Sequence, residues 1–442
     1  MNHNLRHQSS IAQPLPSAAP CLDIAMKRTN GNANKISVAD RPFHDWYRFV
    51  LSFPPHLVRD YLGNFELETG KCVFDPFAGT GTTIVEAKLL GFVGLGTEIN
   101  PMAQFAGSVK STWSANGRDL LLEAERIASL AETQIKRSRK LRELSEEQSS
   151  LLLTNSICPI PLHKSLVLRD VIMASGQHGF VDYAKLALAK TLVFSASNLH
   201  FGPEVGVRGR KIDTDVVASW LENMRLIARD LASVEGNRHL NSNIYLSDAR
   251  TLIGCLQPQS IDAVFTSPPY PNEKDYTRTT RLESVLLGFV SSKEHLRQLK
   301  QGLLRSNTRN IYKDDTDDKW VSSNEKIQRI AGEIEQIRLG RGSASGFEKQ
   351  YHKVVKQYFG GMARHLSELR PYLRPGAHLG YVVGDQASFY QVMIRTGEIL
   401  AEIAESLGYE VLRIDLFRTR LATATKQQMR EEVVILRWNG NI

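Results

Sequence analysis

The chain has 442 residues, 42% of them hydrophobic, and a formal charge of +8. That length holds one large catalytic domain with an inserted region, and the charge favours a polyanionic partner without establishing one. No apolar run approaches the roughly eighteen residues of a membrane span and no signal-peptide pattern opens the chain. The four cysteines, Cys21, Cys72, Cys158 and Cys255, lie too far apart for a metal or disulfide pattern, which fits a reducing cytosol.

In chain order, residues 1–40 are rich in Ser, Pro, Asn and Ala and poor in acid, a composition that predicts a disordered tail. Val73-Phe74-Asp75-Pro76-Phe77-Ala78-Gly79-Thr80-Gly81-Thr82-Thr83 reads as a strand, a glycine turn and a helix start. Gly79 and Gly81 let the backbone approach a ligand closely. Thr82 or Thr83 can cap the helix that runs to Leu90, and Gly91 ends it. The next strand finishes at Glu98-Ile99-Asn100-Pro101, where an acid can accept hydrogen bonds from both ribose hydroxyls of a nucleoside. No Gly-Lys-Ser/Thr follows the glycines, so a P-loop is excluded. The spacing is also not that of a dinucleotide site, and Asp75 would repel a pyrophosphate. An acid beside the glycines suits a cationic ligand, such as the sulfonium cofactor S-adenosylmethionine.

From Asp119 to Gln148 apolar residues recur at helical spacing amid mixed charges, predicting an exposed helix or helical hairpin. The block Phe180 to Asn237 contains a glycine-rich basic loop with Arg208, Arg210 and Lys211, then a helix from Asp215. A polar, charged insertion runs from about Ser291 to Lys349, after which Tyr351 starts a helix leading to the last strands. Before it, the apolar run Ile261–Phe265 stops in Thr266-Ser267-Pro268-Pro269-Tyr270. Each proline fixes its own φ and lacks an N–H, and Pro269 pushes Pro268 towards an extended conformation. The loop's carbonyls are thereby left to accept protons from something else, and Tyr270 offers a flat face for stacking on a nucleobase.

The glycine turn and the diproline loop together resemble the amino-methylating DNA methyltransferases, which modify cytosine N4 or adenine N6. The resemblance implies an α/β fold: a Rossmann-like class I methyltransferase sheet, mostly parallel, about seven strands, with helical insertions. It implies S-adenosylmethionine as cofactor, held by Asp75, Pro76, Phe77, Ala78, Gly79, Gly81 and Thr82, by Glu98 and Ile99 at the ribose, and by Asp248 and Ala249 near the adenine. Ser267, Pro268, Pro269 and Tyr270 match the catalytic loop. The segment from His44 to Val58 resembles the helical motif beside the methionine end, with His44 and Trp46 read as core. The implied layout is a tail (1–40), a cofactor-binding half (41–114), a helical insertion (115–240), a catalytic-loop half (241–290), a charged insertion (291–350) and closing strands and helices (351–442).

The chemistry accounts for these residue types. An exocyclic amine is a poor nucleophile because its lone pair is delocalised into the ring. The carbonyl of Pro268 and the oxygen of Ser267 are suited to accept its hydrogens, so that the nitrogen can pyramidalise. Pro269 keeps the loop stiff, and Tyr270 stacks on a base extruded from the duplex. The electrophile is already reactive, so no metal is expected. Ring-carbon methylation needs a cysteine nucleophile after a buried strand, and none stands there. Serine ahead of the prolines points to cytosine N4, because a hydroxyl tolerates the ring nitrogen acceptor beside the amine. Adenine N6 is the nearest alternative, followed by an RNA N-methyltransferase or a non-catalytic DNA-binding module.

The expected partners are double-stranded DNA and a separately acting restriction endonuclease, in a prokaryotic cytoplasm with no membrane contact. Basic sets that can reach phosphates are Arg208, Arg210 and Lys211; Lys293, Arg297, Lys300, Arg305 and Arg309; Arg418, Arg420, Lys426 and Arg430; and Arg278 with Arg281 after the loop. The segment between Asp248 and Thr266 is too short for a recognition domain and none is expected after the last strand, so sequence recognition is expected from the two insertions.

Overall fold

The computed structural model describes residues 35–49, 52–176, 179–202, 204–234, 238–272, 274–342, 345–421 and 427–440. Among them are nine strands: β1 (Cys72–Asp75), β2 (Val93–Glu98), β3 (Leu199–Phe201), β4 (Val205–Val207), β5 (Ser242–Leu246), β6 (Ile261–Thr266), β7 (Leu373–Gly384), β8 (Glu410–Leu421) and β9 (Gln428–Trp438). Seven form one sheet in the order β5-β2-β1-β6-β7-β9-β8, while β3 and β4 make a separate antiparallel hairpin. Every pair from β5 to β7 is parallel, and β9 then runs antiparallel to both β7 and β8. The expected mostly parallel, seven-stranded class I methyltransferase architecture is the one present.

Alternation along each strand sends neighbouring side chains to opposite faces. Val73, Phe265, Val433 and Ile435 pack with the helix Pro55–Asn64, while Phe74, Val264, Val434 and Leu436 pack with the helix Tyr351–Leu369. Both faces are therefore covered, as a parallel sheet requires. Parallel pairing of β1 with β2 and β6 brings their carboxyl ends to one edge.

The helical insertion is not a separate globule. Its long helix Gly117–Arg137, capped by Asn116, buries Leu120, Ala124 and Ile127 rather than standing exposed. Those residues share one core with Trp220 and Ile227 of the helix Val216–Ser233, and with Val85, Met102 and Ala106 from helices on the sheet. The charged insertion is likewise built in: Leu304, Val321, Ile327 and Ile334 join the core on the Phe74 side. Its amphipathic spacing was hidden by the charges between these residues. At the other end, the last residues of the tail expected over 1–40 are ordered: Val38–Asp40 form a 3-10 turn, and buried Asp40 bonds Ser37 and Arg59. Residues 1–34, Cys21 among them, lie outside the described residues.

The charged insertion docks where Asp317–Val321 crosses the helix Tyr351–Leu369. A Cβ added at Gly360 would lie 1.9 Å from the Asp317 carbonyl oxygen. Gly360→Ala should therefore destabilise the protein by about 1–3 kcal/mol through overpacking, outweighing the ~1 kcal/mol that alanine gains in helix propensity. Thermal denaturation will show a lowered midpoint, and an unchanged or raised one would contradict this packing.

Candidate active site

The two motifs meet at the tips of β1 and β6. Thr266 donates its hydroxyl to Asp75 Oδ1 at 2.6 Å, and the Phe77 amide donates to the same oxygen at 3.1 Å. Asp75 is fully buried, and its Oδ2 has no hydrogen-bond partner among the described residues. Burial pushes its pKa up to about 6, against the pull of these donors. The chain then turns through Gly79 and Gly81, with φ of 52° and 79°, a region glycine enters without strain. The two glycines differ in purpose. A Cβ at Gly81 would sit 3.0 Å from the Gly107 Cα, so this residue lets two helices approach. A Cβ at Gly79 would meet Phe49 only at 3.9 Å. Gly81, not a threonine, occupies the N-cap of the helix Thr82–Leu89. Thr83 instead donates its hydroxyl to the Phe265 carbonyl at 3.0 Å, a second tie between the motifs.

Glu98 holds this turn in place. Its two carboxylate oxygens accept the amides of Gly79 at 2.9 Å and Asn100 at 2.7 Å. Each oxygen keeps a further lone pair. Burial raises the Glu98 pKa to about 7. Asp248, after β5, forks onto Arg250 with distances of 2.7 to 3.1 Å. Arg250 is itself buried, bonding Asp317 at 2.5 Å and the Gly302 carbonyl at 2.9 Å.

A cavity of about 480 Å³ joins these elements. Its walls include Pro76, Phe77, Ala78, Gly79, Thr82, Glu98, Ile99, Asp248 and Ala249 at one end, and Ser267, Pro268, Pro269 and Tyr270 at the other. Asp75 and Gly81 stand behind the wall rather than in it. At the catalytic loop, Ser267 donates its hydroxyl to the Val382 carbonyl at 3.1 Å, and the Tyr270 amide donates to Tyr276 Oη at 3.0 Å. The Tyr270 ring lies so close to β7 that a Cβ at Gly384 would come within 3.1 Å of it.

Several wall residues escaped the sequence reading. Gly302, Leu303 and Leu304 of the charged insertion line the cofactor-side wall beside Ile99. Asn272, Lys274 and Gln386 line the cavity near the loop, beside Arg420, which the sequence points towards phosphates, and Phe417 lines it as well. Phe417 sits where the β8–β9 register shifts between Leu416 and Arg418; a bulge of this kind re-aims a side chain. No local signal in the sequence marks such a pairing.

Several members of the basic sets are bonded within the protein, while Arg208, Arg210, Lys293, Arg297 and Arg309 are exposed. Lys300 bonds Asp275 at 2.7 Å, and Arg305 is buried in a fork with Asp315. Arg418 forks onto Glu431, Arg430 bonds Glu398 and Asp385, and Arg281 bonds Thr277. Lys211 donates to the carbonyls of Phe194 and Ser195. These residues hold the fold together, contrary to the phosphate-facing expectation, and Lys426 lies outside the described residues. His44 and Trp46 are core, bonding Glu86 at 2.7 Å and Asp230 at 2.9 Å.

Glu98 should make stability depend on pH. Its pKa of about 7 in the folded protein exceeds its ordinary 4.5, and that of Asp75 is about 6 against 3.8. The native state therefore holds protons that the unfolded chain releases, and stability falls as pH rises from about 4 to about 7. Thermal midpoints of the ligand-free protein will decline across that window. Glu98→Gln will flatten the upper half; an equally steep profile in that variant would refute the assignment.

Comparison with known proteins agrees with the geometry. Residues 15–104 match the family model for N6/N4 methyltransferases, described as DNA methylase. The chain is 25% identical to the type II methyltransferase M.BsoBI of Geobacillus stearothermophilus, over 93% of this chain and 86% of that protein. It is 23% identical to the type II methyltransferase M.AvaI of Nostoc sp., over 91% and 86% respectively. A solved S-adenosylmethionine-dependent methyltransferase from Methanosarcina mazei overlaps 86% of this chain and 96% of its own, at 9% identity and a TM-score of 0.29. With the glycine turn, the acid after β2 and the diproline loop opening onto one cavity, the chain is similar to the N6/N4 DNA methylase family and to these type II methyltransferases in the layout of its site as well as in sequence.

Proposed function

We propose that this protein methylates the exocyclic N4 amine of cytosine in duplex DNA at a specific site, with the target base flipped out of the helix. One observation carries this reading: a single cavity runs from Glu98 and Asp248 to the Ser267–Pro268 loop. Cofactor and amine can thus meet without any rearrangement of the sheet. The fit to S-adenosylmethionine rests on Glu98, which keeps a free lone pair on each oxygen for the ribose hydroxyls. It also rests on the open face at Gly79. Ile99, Ala249 and Leu303 would flank the adenine, and Asp248 would accept from its amino group. The Pro76–Thr82 turn would take the methionine end. When bound, the cofactor supplies an electrophilic methyl group on sulfur.

The chain's own residues prepare the nucleophile. The Ser267 hydroxyl donates its hydrogen bond to the Val382 carbonyl, which leaves its lone pairs to act as acceptors. No hydrogen bond from the described residues ends on the Pro268 carbonyl, which can take the second amine hydrogen. Two fixed acceptors on one loop would draw the nitrogen lone pair out of conjugation. Neither oxygen is basic enough to keep a proton, so the one lost after transfer passes to water. Tyr270, held by Gly384 and Tyr276, and Phe417 offer flat faces to the base.

Cytosine is favoured over adenine by the donors around the loop. Lys274, Asn272, Gln386 and Arg420 can serve the two acceptors, N3 and O2, that lie beside cytosine N4. Adenine offers only N1 on that edge. The type II methyltransferase relatives support a restriction–modification setting with a separately acting nuclease.

Methylating duplex DNA with the purified protein, digesting it to nucleosides and analysing them by mass spectrometry should yield N4-methylcytosine. N6-methyladenine would overturn the base choice, and a product only on RNA would overturn the substrate. Ser267→Ala should lower kcat by about 10²-fold, the scale for losing one fixed polar contact in the transition state, while binding of S-adenosylhomocysteine stays within about twofold of wild type.

A further inference from the structure

Among the basic residues near the catalytic loop, many are bonded internally, and the β3–β4 hairpin stands apart from them. It belongs to no other sheet and is rooted by one buried side chain, Asn198. The Asn198 carbonyl accepts the Arg208 amide at 2.9 Å and its Oδ1 accepts the Lys211 amide at 2.7 Å. Its Nδ2 donates to the Asn155 carbonyl at 2.8 Å. Both ends of the Arg208–Lys211 turn are thus fixed to the body of the protein. Between them Arg208 and Arg210 are exposed, and neither guanidinium has an acid partner among the described residues. Beside them Ile212 is 70% exposed, an apolar residue in a cationic surface.

The far side of the hairpin reaches the mouth of the site. Glu204 Oε2 lies 3.4 Å from Arg278 Nη1, and Arg278 belongs to the short helix that follows the catalytic loop. Arg278 is the more enclosed partner, at 29% exposure against 59% for the glutamate. A carboxylate on a guanidinium at the rim of a nucleic-acid site has the charge and the oxygen geometry of a backbone phosphate.

We propose that the β3–β4 hairpin and the turn behind it form a phosphate grip on duplex DNA beside the flipped nucleotide. Arg208 and Arg210 take backbone phosphates, and Glu204 occupies on Arg278 the place of a third. This rests on the reading above that duplex DNA is the substrate. DNA entering the site displaces Glu204, so the free protein is held by a weak internal stand-in. The grip is independent of sequence, as contacts to phosphate are.

The test is binding of duplex DNA to the full chain, with S-adenosylhomocysteine present, across a range of salt concentrations. Each phosphate contact contributes about 0.9 to the slope of log K against log salt. Arg208→Ala with Arg210→Ala should therefore lower the slope by about two such increments, and the double lysine variant should restore it. S-adenosylhomocysteine binding reports that the variants remain folded. Glu204→Gln should tighten DNA binding between about 1.5- and fivefold, the range for removing an exposed competing ion pair. A slope unchanged in the double alanine variant, while wild type binds and methylates DNA, would overturn the grip. Weakened or unchanged binding by Glu204→Gln would overturn the stand-in. Wild type that neither binds nor methylates duplex DNA would sink the substrate reading instead.

Discussion

The site depends on one interaction between neighbouring strand tips, the hydrogen bond from Thr266 to buried Asp75. The parallel pairing of β1 with β6 brings the two chain reversals side by side, but pairing alone leaves the loops beyond it free. Asp75 fixes both. Its Oδ1 takes the Thr266 hydroxyl from one strand and the Phe77 amide from its own turn. Thr83 then returns the tie by donating to the Phe265 carbonyl. The glycine turn and the diproline loop are thereby set relative to each other chiefly by Asp75, Thr266 and Thr83, which do not line the cavity. The acid read from the sequence as a ligand for a cation is, in the fold, a fastener between the two halves of the site.

Glu98 shows the same economy. A carboxylate buried at a strand end is unfavourable, and its raised pKa expresses that. What stabilises it there is a pair of backbone amides, one from the glycine turn and one from the start of the helix Pro101–Ser111. The side chain therefore organises the turn before any ligand arrives, and preorganisation of this kind lowers the cost of binding. Asp248 is engaged differently. Arg250 grips it and reaches on to Asp317 and Gly302 of the charged insertion. The insertion also meets the catalytic loop, through the bonds from Lys300 to Asp275, from Asn307 to the Lys274 carbonyl and from Asn272 to the Ser306 carbonyl. A segment that looks peripheral in the sequence thus braces both ends of the cavity.

What was legible in the sequence was local. The glycine turn, the acid after β2 and the Ser-Pro-Pro-Tyr loop each announce themselves within a few residues, because turn chemistry and strand ends are short-range properties. The wall residues supplied by register were not legible. Phe417 faces the cavity because β8 slips past β9 at that point, and Gly302–Leu304 do so because a helix ends against Ile99. The charge runs misled for a related reason: Arg305 and Arg418 look solvated beside their sequence neighbours, yet their acids, Asp315 and Glu431, arrive from residues a turn or a strand away. Charge patterning along a chain cannot distinguish a solvated face from a buried fork. Amphipathic spacing in the helix Gly117–Arg137 was visible, but the partner that buries it lies about a hundred residues on.

Ser267 carries the argument about substrate furthest. Its hydroxyl could in principle donate to the base or accept from it, and the fold directs its hydrogen bond to the Val382 carbonyl of the adjacent strand. The loop then presents acceptors towards the amine while remaining neutral. A carboxylate at this position would accept more strongly, but would set a full negative charge beside the ring nitrogen lone pair that flanks the amine. With a neutral acceptor, the positive charge that develops on the amine nitrogen is met mainly by the oriented Pro268 carbonyl and the Ser267 oxygen. The cations around the loop remain available for the acceptor edge of the base. On the proposed function, amine activation and base recognition would fall to different residues: acceptors from the loop after β6, donors from Lys274 and the C-terminal hairpin of β8 and β9.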